Sequence, residues 1–285
     1  MFGRRSDGKR IKTIDPYFKI VPHIMPKRYD AMIFFKHEVR CEPLDEFIRA
    51  QRELGNNFNY MDIIIASAVR LLALRPKLNR FIMNGRIFKR NNIQISFTIK
   101  KVLKDDAPDT TIKLTFTGHE NLQEVKAKID EEIKKNVGLD KTNETDKLAR
   151  FLTIVPNGMI KFVMAILRFM DRHGMIPKKL LDASPFHTSC FITNLKSIKL
   201  DYVYHHIYDF GTTSIFIAMG KEKMMPVVDE NNELAVGKVM TLGFVTDERI
   251  CDGLYYGNSL RMLKRILKNP EVLLERLEKV EQDIK

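Results

Sequence analysis

Hydrophobic and polar residues alternate in two stretches of the first half of the chain. In NNIQISFTIKK every second residue from Ile93 to Ile99 is apolar, and TIKLTF repeats the alternation. A period of two residues is typical of strands that bury one face. The sequence therefore predicts two half-buried strands here, and DAMIFFKHEV predicts a strand nearer the N-terminus.

Other stretches show the period of a helix. NLQEVKAKIDEEIKKN has an apolar residue every three or four positions, which predicts an amphipathic helix. PLDEFIRAQREL begins with a proline and early acids, as helices often do. YMDIIIASAVRLLALRP is apolar enough for a buried helix that ends at Pro76, and residues 143–172 predict further helix.

The pattern changes to strands after Pro177. SCFITNL, TTSIFIAMG, KMMPVV and KVMTLGFVT are short and mostly apolar, and the last is typical of a strand buried on both faces. GLYYGNSLRMLKRILKN then predicts a helix that ends before Pro270, and a charged helix is expected to end the chain. Helices alternate with strands early and strands cluster late, so the fold class is α/β, with a mixed sheet and packed helices.

Composition supports one globular domain. The chain has 285 residues, 44% of them hydrophobic, which is enough for a sizeable core. There is no linker rich in proline, glycine or serine, so we expect a single domain at residues 19–285 after a basic arm at residues 1–18. The three cysteines are isolated, and no histidine has metal-ligand spacing with cysteines or acids. We therefore expect no metal site and a reducing, cytoplasmic setting, and no apolar run is long enough to span a membrane.

The net charge of +12 is unevenly distributed. Residues 1–28 hold eight Lys or Arg against two Asp, and Ile63 to Lys104 holds ten Lys or Arg and no acid. Such fields attract polyanions, including nucleic acid, anionic lipid and phosphorylated cofactors, although a solvated basic face has the same composition. No nucleic-acid-binding motif is present, which makes nucleic acid an unlikely partner.

A resemblance appears in the C-terminal half. Residues VTDERICDG, together with SCFITNL upstream, resemble the catalytic domain of the dihydrolipoyl acyltransferases of 2-oxo acid dehydrogenase complexes, and more distantly chloramphenicol acetyltransferase. VRLLALRPKLNRFIMNGRIFKRNNIQISFTIKK is similar to that family's helix, Pro-Asn turn, short hairpin and long strand. The resemblance covers roughly residues 20–270 and implies a chloramphenicol-acetyltransferase-like fold.

The chain departs from the family at one position. The family motif is His-x-x-x-Asp-Gly, in which the His is the general base, and here the first residue is Glu248. A glutamate in water is a poor acceptor for a thiol proton, but burial raises the pKa of a carboxyl group. Glu248 is therefore either a base in a desolvated site or a partner of Arg249 or of a neighbouring basic residue, with no chemical role.

The resemblance also implies roles for neighbouring residues. Asp252 is expected to pair with an arginine and hold the loop, and Gly253 is expected to allow a sharp turn between strand and helix. Cys251 is expected to be a core residue.

The oxyanion and a substitute base have their own candidates. Thr193 matches the hydroxyl that stabilises the oxyanion, with Ser189 as the alternative. The dipeptide His205-His206 falls near the family's subunit interface and could replace the missing histidine, although two polar loop residues are the more ordinary interpretation. The other five histidines have no surrounding constellation in the sequence.

These observations lead to a hypothesis and two alternatives. The first is a coenzyme-A-dependent acyltransferase, a homotrimer or a multiple of trimers, with Glu248 of one subunit and Thr193 of the next in each site. Acyl-CoA would be the substrate, no cofactor would be tightly bound, and a lipoyl domain on another chain is a possible acceptor. The basic segments offer sites for the phosphates of coenzyme A. The alternatives are a catalytically inactive trimeric binding or scaffold relative and a polyanion-binding protein.

Overall fold

The computed structural model describes residues 5–100, 109–137, 143, 146–147, 154, 156–229 and 231–284. Its helices are α1 (Pro16–Ile24), α2 (Glu42–Glu53), α3 (Tyr60–Leu74), α4 (Leu122–Asn136), α5 (Asn157–Arg172), α6 (Lys178–Ala183) and α7 (Gly253–Lys268). Its strands are β1 (Gly8–Arg10), β2 (Met32–Arg40), β3 (Arg80–Met83), β4 (Arg86–Arg90), β5 (Ile93–Lys100), β6 (Asp109–Phe116), β7 (Cys190–Asn194), β8 (Ile215–Met219), β9 (Lys223–Val228) and β10 (Leu234–Asp247). None of these described helices is long and apolar enough to cross a membrane.

Seven strands form the main sheet, in the order β2-β10-β8-β7-β5-β6, with β9 paired to the first half of β10. Strands β5, β7 and β8 are parallel, and the other pairs are antiparallel. Strand β10 lies between β2 and β8, and residues 239–247 are buried. The prediction of a mixed sheet with a strand buried on both faces is confirmed.

Helices α2, α3, α4 and α7 cover one face of the sheet, and the main core lies beneath them. Helix α3 is buried all round, as its composition predicted. The cap residues explain where α3 and α4 begin. The side chains of Asn59 and Asn121 each accept a hydrogen bond from the backbone N–H three residues on, and the carboxylate of that third residue accepts one from the backbone N–H of the asparagine. Of the predicted helix at residues 143–172, residues 157–172 are helical, and most of the earlier part lies outside the described residues.

The opposite face of the sheet has a thinner cover. The segment 201–208, which has no regular structure, crosses this face. Its Ile207 is buried in a small cluster with Phe191, Phe216 and Val245 of the sheet. The backbone approaches closely at Gly243, where a Cβ atom would lie 2.4 Å from the carbonyl oxygen of Val203. A side chain at that position would therefore push the segment off the sheet.

The N-terminal residues are part of the folded domain. Strand β1 pairs with β4, Ile11 is buried in the main core, and Arg5 forms ion pairs with Asp7 and Asp171 at 2.8 and 2.6 Å. The expectation that residues 1–18 form an arm that precedes the folded domain is therefore wrong for Arg5 to Ile11. The stretch lacks hydrophobic periodicity because a three-residue strand is too short to show one.

The C-terminus does not form the expected charged helix. After a single 3-10 turn at Pro270–Leu273 the described residues have no regular structure. The segment passes the carboxyl end of α3 and reaches β3 instead, since Glu281 N–H donates to the carbonyl of Ala73 and Asp283 pairs with Arg80 at 2.6 Å. These long-range bonds satisfy groups that a helix would have bonded locally.

Candidate functional site

The residues ERICDG connect β10 to α7 by a tight, fully bonded turn. Strand β10 ends at Asp247, Glu248–Ile250 form one 3-10 turn, and α7 begins at Gly253. The Asp252 carboxylate caps the helix by accepting from the backbone N–H of Tyr255 at 2.8 Å. The hydroxyl of Tyr256 donates to the Asp247 carbonyl at 2.9 Å, which ties the helix to the end of the strand.

A buried ion pair holds this connector from within. Arg249 donates from Nε and Nη2 to the two carboxylate oxygens of Asp247, at 2.8 and 2.7 Å. Its third bond, from Nη1, reaches the Met25 carbonyl at 2.7 Å, and Arg28 Nε lies 3.6 Å from the same carboxylate. Asp247 and Arg249 are 0% and 2% exposed, so solvent does not screen this pair.

One expectation about this ion pair is wrong, and one of the alternatives for Glu248, pairing with Arg249, is excluded. The acid that pairs with an arginine is Asp247, whereas Asp252 serves as a helix cap. Arg249 pairs with Asp247, so it is not the partner of Glu248. Both differences have one cause: the side chains of Asp247 and Arg249 point into the protein, and the residue between them points out.

Glu248 is the exposed residue of the connector. Its side chain faces solvent, while Asp247, Arg249, Ile250 and Cys251 are buried. In the described part of the chain it has no hydrogen bond or ion pair. The burial needed to make it an effective base is therefore not supplied by this subunit alone.

Two further motif residues have ordinary surroundings. The expected reason for Gly253 is wrong, because its φ is not positive and a Cβ atom there would meet nothing within 4 Å. Cys251 is in the main core, as expected, and burial raises the pKa of its thiol to about 12. A thiol that stays protonated at neutral pH is a poor nucleophile.

Thr193 lies near the carboxyl end of β7, in a half-buried position. It lines a cavity of about 690 Å³ between the first turn of α3, the second half of α4 and the ends of β5 and β7. Ser189, the alternative hydroxyl, lies just before the other end of β7. It is buried, and its oxygen accepts from the backbone N–H of Gln94 at 2.9 Å, so its surroundings are those of a strand-pairing residue.

Strand register separates Glu248 from Thr193 within one subunit. Thr193 pairs with Ala218, and Ala218 pairs with Gly243 of β10, whereas the connector follows Asp247 at the end of that strand. Four residues of strand span about 13 Å, and the two intervening strand spacings add about 10 Å across the sheet. The two candidate groups therefore occupy opposite ends of the sheet and cannot act on one bond within a single chain.

The two adjacent histidines lie on the thinly covered face of the sheet. The His205 ring stacks on Phe216 with ring centres 4.1 Å apart, and its Nδ1 is 2.9 Å from the His206 carbonyl oxygen. Burial lowers the pKa of His205, which favours the neutral ring. His206 is exposed.

A polar cluster around His187 was missed at the sequence level. His187 is buried, with Nδ1 2.7 Å from Ser184 Oγ and Nε2 3.1 Å from the carboxylate of Asp171, which also binds Arg5. Burial lowers the pKa of His187. All three groups of this Ser-His-Asp set are buried, so their role is structural. No spacing rule could have found the Arg5–Asp171 contact, because 166 positions separate its members.

Several basic side chains between Ile63 and Lys104 are used inside the fold. Arg80 pairs with Asp283, Arg90 donates to the backbone and hydroxyl of Thr212, and others bond backbone carbonyls. The expectation that this segment binds phosphates therefore does not hold for these residues: Arg70, Arg75, Arg80, Lys89 and Arg90.

Comparison with known proteins identifies the fold. Residues 180–275 match the family model of the 2-oxoacid dehydrogenases acyltransferase (catalytic domain), and this range contains both Thr193 and the connector. No curated protein matches the chain in sequence.

Solved structures match over nearly the whole chain. A probable dihydrolipoamide acetyltransferase from Listeria monocytogenes is 16% identical, with a TM-score of 0.57 over 91% of this chain and 94% of that one. The cubic core of the pyruvate dehydrogenase multienzyme complex is 12% identical, with a TM-score of 0.57 over 90% and 88%. A chloramphenicol acetyltransferase is 12% identical, with a TM-score of 0.56 over 91% and 99%. This chain therefore has the chloramphenicol-acetyltransferase-like fold and resembles the catalytic domain of the dihydrolipoyl acyltransferases, with the sequence match in its C-terminal third.

Proposed function

We propose that this protein is a coenzyme-A-dependent acyltransferase whose active site forms between two subunits, with Glu248 as the general base. One observation carries the proposal: hydrogen bonds hold Asp247, Arg249 and Asp252 of the connector, whereas the Glu248 carboxylate is exposed and has no partner among the described residues. A residue that served only to balance Arg249 would be paired with it, but Asp247 already occupies that guanidinium.

The proposed site uses the two ends of the sheet from different subunits. Glu248 of one subunit would face Thr193 of the next, and a trimer with cyclic symmetry would make three such sites. Packing against the neighbour would also remove water from Glu248, which favours proton uptake by a carboxylate. The half-buried position of Thr193 beside a cavity of about 690 Å³ supports a role at an entrance.

The chemistry follows from these two groups. Glu248 takes the proton from the thiol, amine or hydroxyl of the acceptor as that atom attacks the carbonyl carbon of acyl-CoA. The carbonyl oxygen becomes an oxyanion, which accepts a hydrogen bond from the Thr193 hydroxyl. The C–S bond then breaks, the acyl group stays on the acceptor, and the proton passes from Glu248 to the sulfur of coenzyme A.

The test is acyl transfer by the purified protein, followed as the release of free coenzyme A thiol from a panel of acyl-CoA compounds. Glu248→Gln keeps the shape and loses the basicity, so we expect activity to fall by about 100-fold or more. Glu46→Gln, an exposed glutamate on α2 with no described partner, is the matched control and should be fully active.

Two further variants sharpen the result. Glu248→His should keep or raise activity and shift the pH–rate profile, because each base shows its own ionisation. Thr193→Val should lower kcat by about 100-fold, and Thr193→Ser should restore most of it. Full activity of Glu248→Gln would contradict the proposal, and His205 and His206 would then be the next candidates for the general base.

Assembly provides an independent check. Light scattering of the wild-type protein should give the mass of a trimer or a multiple of it, and a stable monomer would overturn the shared site. An inactive wild type together with an active Glu248→His would mean that the chain has kept the fold and lost the base.

A further inference from the structure

Two basic cavities share the tip of a β-hairpin as a wall, and one of them reaches the connector. The first, of about 300 Å³, is lined by Lys27, Arg168 and Arg172 and includes Arg249, the residue after Glu248. We call it the Arg172 cavity. The second, of about 590 Å³, is lined by Arg10, Lys12, Lys19 and Arg86, and we call it the Arg86 cavity. Both volumes are in the range of small-molecule sites.

The hairpin tip is a rigid wall shared by the two cavities. His23, Asn84 and Gly85 line both of them. Asn84 and Gly85 have φ values of 52° and 65°, as the tight turn between β3 and β4 requires. A Cβ atom at Gly85 would lie 2.4 Å from the His23 ring, so the imidazole is held directly against the turn. The position of this ring between the cavities is therefore set by the backbone.

Two of the cations that line the Arg172 cavity, Arg28 and Arg249, are paired with Asp247. The other lysines and arginines of the two cavities have no hydrogen bond or ion pair among the described residues; these seven are Arg10, Lys12, Lys19, Lys27, Arg86, Arg168 and Arg172. Among the described residues, none that lines the Arg86 cavity is acidic. The Arg172 cavity has two: Asp171 is committed to Arg5 and His187, and Asp209 accepts from the backbone N–H of Arg28 at 3.3 Å.

Unpaired charges of one sign, held around a concave surface, raise the local concentration of the opposite ion. Arginine binds phosphate with two parallel hydrogen bonds, and one phosphate group can be shared by neighbouring cations. The Arg86 cavity also has an apolar side, formed by Ile11, Ile14 and Ile87, which suits a planar ring. A ligand with several phosphates and one apolar ring matches both properties.

We propose that the two cavities together form a binding site for the phosphate groups of a nucleotide, either the nucleotide part of coenzyme A or a free nucleoside diphosphate. Where the nucleotide belongs to coenzyme A, the proposal rests on the acyltransferase function above. Coenzyme A would then lie beside the connector, with its phosphates on the hairpin side of Glu248. Where it is a free nucleotide, the site is independent of acyl transfer.

The test is isothermal titration of the full-length protein with ADP, sodium pyrophosphate, coenzyme A and dephospho-coenzyme A at low salt. Two double variants remove charge from one cavity each: Arg168→Gln with Arg172→Gln, and Lys19→Gln with Arg86→Gln. The matched control is Lys161→Gln with Lys179→Gln, which removes two exposed charges that line neither cavity and have no described partner.

We expect ADP and pyrophosphate to bind, each cavity variant to weaken ADP binding at least tenfold, and the control to stay within twofold of wild type. Tighter binding of coenzyme A than of ADP would identify the carrier as the ligand, and equal binding would favour a free nucleotide. Failure of all four probes to bind at millimolar concentration would overturn the site. Equal weakening by the control would also overturn it, because the attraction would then be that of the whole basic surface.

The two proposals fail separately. Nucleotide binding at the two cavities without any acyl transfer would support the nucleotide site and contradict the proposed function. Acyl transfer with an unchanged KM for acyl-CoA in both cavity variants, together with no ADP binding, would support the proposed function and contradict the nucleotide site. If single-stranded RNA bound much more tightly than ADP, and the same variants lost that binding, the ligand would be a nucleic acid and the proposal of a small nucleotide would be wrong.

Discussion

Two groups of cationic side chains lie at the same corner of this protein and differ in what they contact. The inner arginines, Arg5, Arg28 and Arg249, are buried or nearly so and bond carboxylates and backbone carbonyls. The groove cations are mostly exposed and have no partner among the described residues; they are the seven unpaired cations of the two cavities, Arg10, Lys12, Lys19, Lys27, Arg86, Arg168 and Arg172. Each side chain of either group adds one positive charge to a chain whose net charge is +12.

The difference shows that charge alone does not reveal a role. An inner arginine stabilises the fold only while its carboxylate remains, because removing one partner leaves an uncompensated buried charge. A groove cation is solvated, so its loss costs the fold little and affects only what binds there. The variants below separate the two groups by stability, from the largest expected effect to the smallest.

Asp247→Asn should be the most damaging change. It keeps the shape of the side chain and removes the one carboxylate that bonds Arg249 in the described part of the chain, which also lies 3.6 Å from Arg28. We expect the free energy of unfolding to fall by about 3–5 kcal/mol. Urea denaturation measures this loss, and adding Arg249→Met should recover part of it. A cost below about 1 kcal/mol would mean that the pair is not desolvated.

Arg5→Met tests the N-terminal residues. It leaves the buried carboxylates of Asp7 and Asp171 without their guanidinium, so we expect a loss of about 3 kcal/mol. Lys9→Met, on the exposed side of β1, is the control and should change little. A wild-type melting temperature for Arg5→Met, or for a chain lacking residues 1–11, would show that this segment is a dispensable arm after all.

Lys113 predicts a pH dependence. Burial lowers its pKa from 10.5 to about 7, and its Nζ donates to the carbonyls of Leu181 and Ser184. Between pH 7 and 9 the unfolded chain binds this proton and the folded chain does not, so stability should rise with pH in that window. We expect a gain of about 1–2 kcal/mol, smaller than full burial would give.

Urea denaturation at pH 7, 8 and 9 measures this gain. Lys113→Met should remove the dependence, whereas Lys89→Met should not. A fall in stability over the same range in the wild type would contradict the assignment. Above pH 9 the opposite effect begins, because burial raises the pKa of Cys41 to about 11 and that of Cys251 to about 12.

The groove cations should give the smallest effect on stability. Arg168→Gln with Arg172→Gln removes two exposed, unpaired charges of the same sign from one helix face. We expect the free energy of unfolding to change by less than about 0.5 kcal/mol in either direction. Denaturation beside the wild type measures it. A loss comparable to that of Asp247→Asn would place these arginines with the inner group.

Most of the elements could be predicted from the sequence, because their periods are local properties. The alternation in β5 and β6, the apolar run of β10 and the helical period of α4 all correspond to the observed elements. The N-terminal strand and the C-terminal segment could not be predicted, since each is fixed by distant partners: β4 for the first, and Ala73 and Arg80 for the second.

For the candidate site, too, local patterns could be predicted from the sequence and features fixed by distant partners could not. The sequence by itself determined that a Glu-x-x-x-Asp-Gly motif joins an apolar strand to a helix, downstream of a hydroxyl-bearing strand. Only the tertiary structure decided which acid holds the arginine, that Glu248 points outward, and that Thr193 lies at the far end of the sheet. The physical reason is that side-chain direction and strand register depend on pairing across the sheet. Residues adjacent in sequence, such as Asp247 and Glu248, can therefore have opposite environments.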